Sequence, residues 1–296
     1  MATTRDLVFQ AALSQAATAV EDALESLLPA ADGPVTEAMR YATLSGGKRL
    51  RAFLVIESSN LFRVPAVQSI RAAAAVECLH AYSLIHDDLP AMDDDDMRRG
   101  RPTVHRKWDE ATAILAGDAL QAQAFEILAG PRTALDPTIR ARLIEGLARA
   151  SGARGMVGGQ ALDLAAGRTA TPLNLDQITQ LQSLKTGALI QWAAEAGAVM
   201  GKSDVSNLTA YARDLGLAFQ IQDDILDVTG SAEETGKATQ KDAAAGKATF
   251  VSLLGLSGAR RKAKELVKSA CDHLDPYGSS AENLRLAADF AISRSN

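Results

Sequence analysis

A long apolar stretch that ends in a dense run of acids is the feature that most constrains how this chain can fold. Residues 72–85 carry one formally charged side chain, Glu77, and the pattern predicts a helix over 67–89 that Pro90 ends. A helix that is apolar on nearly every side belongs in the interior of a large helical bundle. Six aspartates lie within residues 87–96, so these acids are predicted to gather at the end of a buried helix.

The rest of the chain also predicts helices. Apolar residues recur at helical spacing in almost every segment, and alternation typical of strands is hard to find. We therefore predict an all-α fold, a single domain over residues 1–296 in which roughly ten or more helices surround a central cavity. Within that domain, the polar segment 229–247 is rich in glycine and lysine and is predicted to be a mobile lid loop.

Composition excludes several classes of protein. The net charge of -5 argues against a general nucleic-acid binder. Cys78 and Cys271 are the only cysteines, too few for a disulfide framework, so they are predicted to be reduced thiols in the protein interior. No apolar run reaches the roughly 18 residues that a membrane helix needs, and the N-terminus lacks the pattern of a signal peptide. These features favour a soluble, cytoplasmic protein with no stable membrane insertion.

A second acidic motif ends another apolar helix, predicted over 205–228. In Gln220-Ile221-Gln222-Asp223-Asp224-Ile225-Leu226-Asp227 the aspartates are spaced three and four residues apart, so they share one helix face with Gln220. Carboxylates this close repel one another unless a cation lies among them. Mg²⁺ takes oxygen ligands and commonly completes its shell with water and substrate phosphate. Each motif alone also fits a solvated acidic helix end, but two at the ends of buried helices favour a metal site.

Basic residues are grouped as a diphosphate site requires. Lys48 and Arg51 lie in a glycine-containing segment at a predicted helix start, where backbone N–H groups favour an anion. Arg98 and Arg99 directly follow the first acidic run, and the planar guanidinium suits phosphate oxygens. Each pair alone is also compatible with ordinary surface charge. His80 lies two helical turns before the acids, which places it toward the same cavity, although a lone histidine on an apolar helix is more often a core residue.

Together these motifs resemble the trans-polyprenyl diphosphate synthase family, in its bacterial farnesyl diphosphate synthase branch. The likeness runs in the same order through almost the whole chain and implies an isoprenoid synthase type of fold. The segments that carry it are Gly46–Arg51, His86–Thr103, the Gly-Gly-Gln-x-x-Asp of 158–163, the Lys-Thr-Gly of 185–187, Gln220–Asp227, and the Gly-Lys pairs beginning at 236 and 246.

The resemblance implies a division of labour among these residues. The ligands of roughly three Mg²⁺ ions, for which Mn²⁺ could substitute, would be Asp87, Asp93 and Asp223, supported by Asp88, Asp224 and Asp227. The cations that neutralise the leaving diphosphate would be Arg98, Lys185 and Lys237. Isopentenyl diphosphate would be held by Lys48, Arg51, His80 and Arg99. Thr186 and Gln220 would face the developing carbocation, and Lys247 would help to close the lid.

The implied activity is head-to-tail condensation of isopentenyl diphosphate with dimethylallyl or geranyl diphosphate to give (E,E)-farnesyl diphosphate, in a homodimer. Tyr82, with Ser83 beside it, is the predicted determinant of product length, because its ring would lie about 7.5 Å before Asp87 along the helix. Within the same class, geranylgeranyl or geranyl diphosphate is the alternative product. A terpene cyclase or lyase would not need the Lys48 and Arg51 cluster, and a non-catalytic synthase subunit would not need intact aspartate motifs.

Overall fold

The computed structural model describes residues 4–168, 172–229 and 248–293. Apart from Thr229, the predicted lid lies outside the described residues, and so do Lys237 and Lys247. Among the helices that are described, none is both long enough and apolar enough to cross a membrane.

Helices build nearly all of the described chain, which confirms the predicted all-α class. Up to the acidic run they are α1 (Thr4–Leu27), α2 (Pro34–Thr43), α3 (Leu50–Leu61) and α4 (Ala66–Asp87). A short hairpin of β1 (Met97–Arg98) and β2 (Arg101–Pro102) follows, and then α5 (Val104–Lys107), α6 (Glu110–Ala129), α7 (Pro137–Ser151) and α8 (Met156–Ala166). The remainder comprises α9 (Leu175–Gln182), a π-helical segment (Ser183–Gly187), α10 (Ala188–Met200), α11 (Ser206–Thr229), α12 (Phe250–His273), a 3-10 segment (Asp275–Ala281) and α13 (Glu282–Ser293).

The chain divides into two compact units. The first comprises Met1–Glu145 and Ala196–Ser203, and the second comprises Gly146–Glu195 and Asp204–Asn296. The first aspartate motif belongs to the first unit and the second motif to the second unit. The single-domain organisation inferred from the sequence stays a prediction.

In the first unit, α4 is the central helix. It packs against α6, α3 and α1, and its four successive alanines, 72–75, are completely buried. Small side chains on several faces let neighbouring helices approach closely, so a helix without a polar face is stable at this place. Cys78 is also fully buried here, and burial raises the pKa of its thiol to about 12. The predicted interior position holds for Cys78, whereas Cys271 is only half-buried.

In the second unit, α11 packs against α12, α13 and the π-helical segment. The buried hydroxyl of Tyr211 on α11 donates a hydrogen bond of 2.8 Å to the carbonyl of Leu284, so the polar end of a core aromatic is satisfied. A Cβ atom added at Gly216 would lie 3.2 Å from the Cα atom of Gly187. This close approach fixes the π-helical segment against the helix that carries the second aspartate motif.

The structure corrects two helix predictions in this unit. The apolar pattern over 175–200 predicts a single helix, but the π-helical segment separates α9 from α10. Conversely, the apolar pattern predicts separate helices over 250–256 and 259–274, but these residues form one helix, α12, with an irregular backbone at Gly255 (φ 68°). An extra residue in a helical turn leaves the apolar period almost unchanged, so sequence periodicity does not detect a π-helical turn.

Candidate active site

The first aspartate motif folds back on the end of α4. The backbone N–H of Asp93 donates a 2.9 Å hydrogen bond to the carbonyl of Asp87, and the N–H of Asp95 donates one of 3.2 Å to the carbonyl of Asp88. A turn at Pro90 makes this return possible, as its sequence position suggested. Asp87 and Asp93 are therefore neighbours, with Asp87 half-buried and Asp93 exposed. Carboxylates supply the oxygen ligands that Mg²⁺ prefers.

Asp88 differs from its neighbours because it is committed to an internal ion pair. The Nε atom of Arg98 donates to both of its carboxylate oxygens, at 2.8 and 2.9 Å, and the Nη2 atom lies 2.6 Å from Oδ1. Burial acts to lower the pKa of Arg98, but its bonds to Asp88 outweigh this effect and raise the pKa above the ordinary value. Asp88 therefore holds Arg98 charged and in place directly behind the acidic loop.

A tight hairpin carries Arg99 to the basic loop. Arg99 and Gly100 form the turn between β1 and β2, and both have positive φ, 52° and 71°, as in the type I′ turn that suits a two-residue hairpin. The guanidinium of Arg99 donates a hydrogen bond to the carbonyl of Gly46. Its Cζ atom would lie 2.7 Å from a Cβ atom at Gly47, whose φ is 120°. Glycine at 47 is thus required both by the backbone conformation and by the position of Arg99.

A cluster of cations surrounds His80 on α4. The Nη1 atom of Arg51 lies 3.4 Å from the Nε2 atom of His80, and because arginine can only donate, this ring nitrogen must be the acceptor. Burial holds the pKa of His80 well below 6.5, and the charges of Arg51 and Arg99 lower it further. The imidazole is therefore neutral. Local positive charge of this density is suited to a polyanionic ligand such as a diphosphate.

This pKa shift predicts how stability depends on pH. Below about pH 6.5 the unfolded chain protonates His80 while the folded chain does not, so stability falls as pH decreases toward the folded-state pKa. His80→Gln is expected to make the fall in melting temperature between pH 6.5 and about pH 5 shallower than in the wild-type protein. Thermal unfolding across this range measures the slope. An identical slope in both proteins would contradict a neutral His80 in the folded protein.

A cleft lies next to these cations in the first unit. It is lined by apolar side chains of α4, such as Leu84 and Ile85, together with Arg98 and Arg99. An apolar cleft with a few charged groups at its edge has the general character of a small-molecule site.

In the second unit, the π-helical segment presents Lys185 and Thr186. The Nζ atom of Lys185 lies 2.7 Å from an Oδ2 atom of Asp163 on α8. A Cβ atom added at Gly159 would come within 2.2 Å of the backbone nitrogen of Lys185, so α8 can lie directly against the π-helical turn only with glycine at this position. π-Helical turns are frequent at functional sites because they redirect side chains out of the regular helical path.

A chain of hydrogen bonds connects Thr186 to the second aspartate motif. The hydroxyl of Thr186 donates to the Oε1 atom of Gln220 at 3.3 Å, and the Nε2 atom of Gln220 donates to Asp224 at 3.1 Å. The other oxygen of Asp224 accepts a 2.7 Å hydrogen bond from the backbone N–H of Phe250. Asp224 is buried and holds the first turn of α12, whereas Asp223 and Asp227 remain partly exposed.

The two motifs therefore contain two kinds of aspartate. Asp88 and Asp224 are buried, while Asp87, Asp93, Asp223 and Asp227 are more exposed to solvent. Within residues 4–168, 172–229 and 248–293, no three histidine, cysteine or acidic side chains are already arranged as a metal site. The donor types nevertheless fit Mg²⁺, because that ion usually takes only one or two carboxylates from the protein and its other ligands from water and phosphate.

Tyr82 packs at the junction of α4 and α6. Its ring makes an edge-to-face contact with His86, with centroids 5.4 Å apart, and it is 6% exposed. Burial raises the pKa of Tyr82, and a hydrogen bond with Gln121 acts in the opposite direction. The hydroxyl of Ser83 donates to the carbonyl of His80 at 2.8 Å. Tyr82 is thus held by α6 as well as by its own helix.

Three functional neighbours carry no assigned role at the sequence level. Asp163 pairs with Lys185, Gln121 bonds to Tyr82, and Glu77 is buried beside the basic loop. Asp163 belongs to the Gly-Gly-Gln-x-x-Asp segment, which marks it as a motif residue but does not indicate that Lys185 is its partner. Glu77 was visible as the one acid in an apolar helix, and a buried carboxylate needs a cation; its partner could not be chosen from the sequence.

The chain is similar to known proteins over most of its length. The family model for polyprenyl synthetases matches residues 33–279. A farnesyl diphosphate synthase of Escherichia coli (strain K12) is 48% identical over 275 residues, 90% of this chain and 91% of that protein. A farnesyl diphosphate synthase of Haemophilus influenzae is 43% identical over 297 residues, 97% of this chain and 98% of that protein.

A solved structure is similar over the same extent. The crystal structure of an FPP/GFPP synthase from Zymomonas mobilis, in its apo form, is 47% identical and superposes with a TM-score of 0.89, covering 97% of this chain and 99% of that chain. The chain belongs to the polyprenyl synthetase family and is a trans-prenyltransferase. The family resemblance inferred from its motifs is thereby confirmed.

Proposed function

We propose that this enzyme condenses isopentenyl diphosphate with dimethylallyl diphosphate, and then with geranyl diphosphate, to form (E,E)-farnesyl diphosphate. The observation that carries this proposal is that a chain 48% identical to a farnesyl diphosphate synthase contains two aspartate motifs with solvent-accessible members and, separately, an arginine and histidine cluster. Accessible carboxylates are suited to a metal-bound diphosphate, and the cation cluster is suited to a second diphosphate.

The residues would divide the work by charge. Lys48, Arg51, Arg99 and neutral His80 would bind the diphosphate of isopentenyl diphosphate. Arg98 and Lys185 would neutralise the charge that develops on the departing diphosphate, the kind of electrostatic contribution that most lowers such barriers. Each of these two cations is held by an aspartate, at 2.6 Å in the Arg98 pair and 2.7 Å in the Lys185 pair, so each is oriented before substrate binds.

The allylic cation would be stabilised by oxygen dipoles rather than by a full negative charge. Thr186 and Gln220 are linked by a 3.3 Å hydrogen bond, and their oxygens would face the cation. Attack by the double bond of isopentenyl diphosphate then forms the new carbon–carbon bond, and a proton leaves the adjacent carbon. His80 is neutral but committed to Arg51, so the released diphosphate is the proposed proton acceptor.

Asp87, Asp93, Asp223 and Asp227 would hold Mg²⁺, with Asp88 and Asp224 acting as internal supports. Bound Mg²⁺ would supply Lewis-acid polarisation of the diphosphate oxygens. We also propose that the enzyme is a cytoplasmic homodimer, as its family resemblance implies. Lys237 and Lys247 keep their proposed roles in diphosphate binding and lid closure, although both lie outside the described residues.

A direct product assay tests the proposal. Purified protein is incubated with labelled isopentenyl diphosphate, dimethylallyl diphosphate and Mg²⁺, and the dephosphorylated product is sized. Farnesol is the expected product. A parallel reaction with geranyl diphosphate alone should yield nothing; cyclised hydrocarbon in that reaction would indicate a cyclase, and the absence of condensation in the first would reject the proposal.

A further inference from the structure

We propose that Glu77 is a positioning residue for the isopentenyl diphosphate site, because it fixes the basic loop Gly46–Arg51 on α4 through Arg49. Glu77 is a buried residue of α4 and would not contact the substrate itself. The inference rests on the proposed function of Lys48 and Arg51 and adds the residue that places them.

Glu77 and Arg49 form a buried ion pair. The Nη1 atom of Arg49 lies 3.1 Å from the Oε2 atom of Glu77, and the two side chains are 3% and 4% exposed. The Nη2 atom of Arg49 also donates a 2.6 Å hydrogen bond to the carbonyl of Thr43, at the end of α2. Arg49 therefore joins the end of α2 to the carboxylate on α4. A charge buried in this way is tolerated only when it is paired and hydrogen-bonded.

The second oxygen of Glu77 anchors the far side of the loop. Its Oε1 atom accepts a 3.2 Å hydrogen bond from the backbone N–H of Ala52. Ala52 lies in the first turn of α3, where N–H groups have no partner within the helix. Arg49, the residue that precedes α3, makes no capping bond with its own side chain. Glu77 thus supplies, from another helix, the cap that the local sequence does not provide.

The backbone between these anchors is in an unfavourable conformation. Arg49 has φ 50°, in the left-handed region that residues other than glycine seldom adopt, and Gly46 and Gly47 also have positive φ. Such a conformation persists only where the surrounding contacts over-determine it. The contacts that hold Arg49 here are those to Glu77 and Thr43, together with a longer one of 3.3 Å to Glu21, which is 41% exposed.

This geometry determines where the phosphate-binding groups lie. Lys48 precedes Arg49 directly, and Arg51 follows two residues later. Glu77 and His80 lie three residues apart on α4 and so share a face, and the same face that holds Arg49 also presents the ring that contacts Arg51 at 3.4 Å. Glu77 also neutralises the buried Arg49, so Arg49 acts on the position of the loop and not on a diphosphate.

The test separates positioning from stability. Glu77→Gln keeps the shape and the acceptor for Ala52 but removes the charge that holds Arg49. Calorimetric titration with isopentenyl diphosphate, without allylic substrate so that no turnover occurs, is expected to show at least about tenfold weaker binding. The KM for isopentenyl diphosphate should rise to a similar extent, whereas the KM for geranyl diphosphate should stay within about twofold.

Two further variants control for destabilisation. Val20→Ala removes buried methyl groups from α1, where Val20 is fully buried, and should lower the melting temperature while leaving the affinity for isopentenyl diphosphate unchanged. The double variant Arg49→Met/Glu77→Met replaces the ion pair with apolar side chains, which is often neutral for stability. It should recover much of the melting temperature but not the affinity.

The outcomes are distinct. The inference is supported if the wild-type protein binds isopentenyl diphosphate and if Glu77→Gln and the double variant lose affinity for it to a similar extent. Wild-type affinity in Glu77→Gln, or an equal rise of both KM values, would overturn it, as would full affinity in the double variant. If the wild-type protein did not bind isopentenyl diphosphate, the proposed function would be rejected. The proposed role of Glu77, which depends on that function, would then be rejected as well.

Discussion

Replacing Asp87 with asparagine is expected to lower kcat for condensation by about a thousandfold, equivalent to about 4 kcal/mol of transition-state stabilisation. Asp87 is half-buried at the end of α4, and its carbonyl holds Asp93 beside it through a 2.9 Å bond. Asparagine keeps the size of the side chain and leaves that backbone bond intact. It removes the negative charge with which a carboxylate binds Mg²⁺ strongly, so the loss should fall on the rate of ionisation.

Asp94 provides the matched control for this variant. It lies in the same loop and is exposed, and its positive φ of 51° is a conformation that asparagine tolerates well. Asp94→Asn therefore removes the same charge with little structural cost and should keep kcat within about twofold of wild type. Equal losses in the two variants would mean that the acidic loop acts by its overall charge, and an active Asp87→Asn enzyme would refute the assigned role.

Replacing Tyr82 with alanine is expected to lengthen the product by at least one isoprene unit. Tyr82 is 6% exposed and lies five residues, about 1.4 helical turns, before Asp87, and we predict that its ring limits the length of the growing chain. Removing it should also reduce stability by about 3 kcal/mol, because a large buried side chain leaves a cavity. The length of the dephosphorylated product, measured by chromatography with purified enzyme, checks the first effect, and thermal unfolding checks the second.

Tyr82→Phe is the control for this experiment. It keeps the ring and its edge-to-face contact with His86, which has a centroid distance of 5.4 Å, and removes only the hydroxyl that bonds to Gln121. The product of this variant should remain farnesyl diphosphate. A product distribution that is unchanged in Tyr82→Ala would show that another part of the cavity sets the length.

The helices and the acidic loop were largely predictable from the sequence, for local reasons. The apolar spacing marks nearly every helix, and Pro90 stops α4 just where the aspartates must turn back. The return of Asp93 to Asp87 follows from this short loop. The family also followed from the order of the motifs, because no single basic or acidic cluster here would be specific alone.

Features that depend on distant partners were not predictable. By its sequence position Asp88 resembles Asp87, but in the structure it forms an ion pair with Arg98. Asp224 accepts a hydrogen bond from the backbone N–H of Phe250 in the first turn of α12. These choices depend on which helix ends meet in the fold, which spacing along the chain does not reveal. The π-helical turn at Lys185 follows in the same way from the approach of Gly159 on α8.

The dependence of the reaction on Mg²⁺ is the most direct test of the central claim that the accessible aspartates act through a metal. Wild-type protein is treated with EDTA, dialysed, and assayed for condensation of labelled isopentenyl diphosphate with geranyl diphosphate while Mg²⁺ is added back. We expect no product in EDTA, full activity on titration with Mg²⁺, and a higher Mg²⁺ requirement in Asp223→Asn. Undiminished condensation in EDTA would contradict the account.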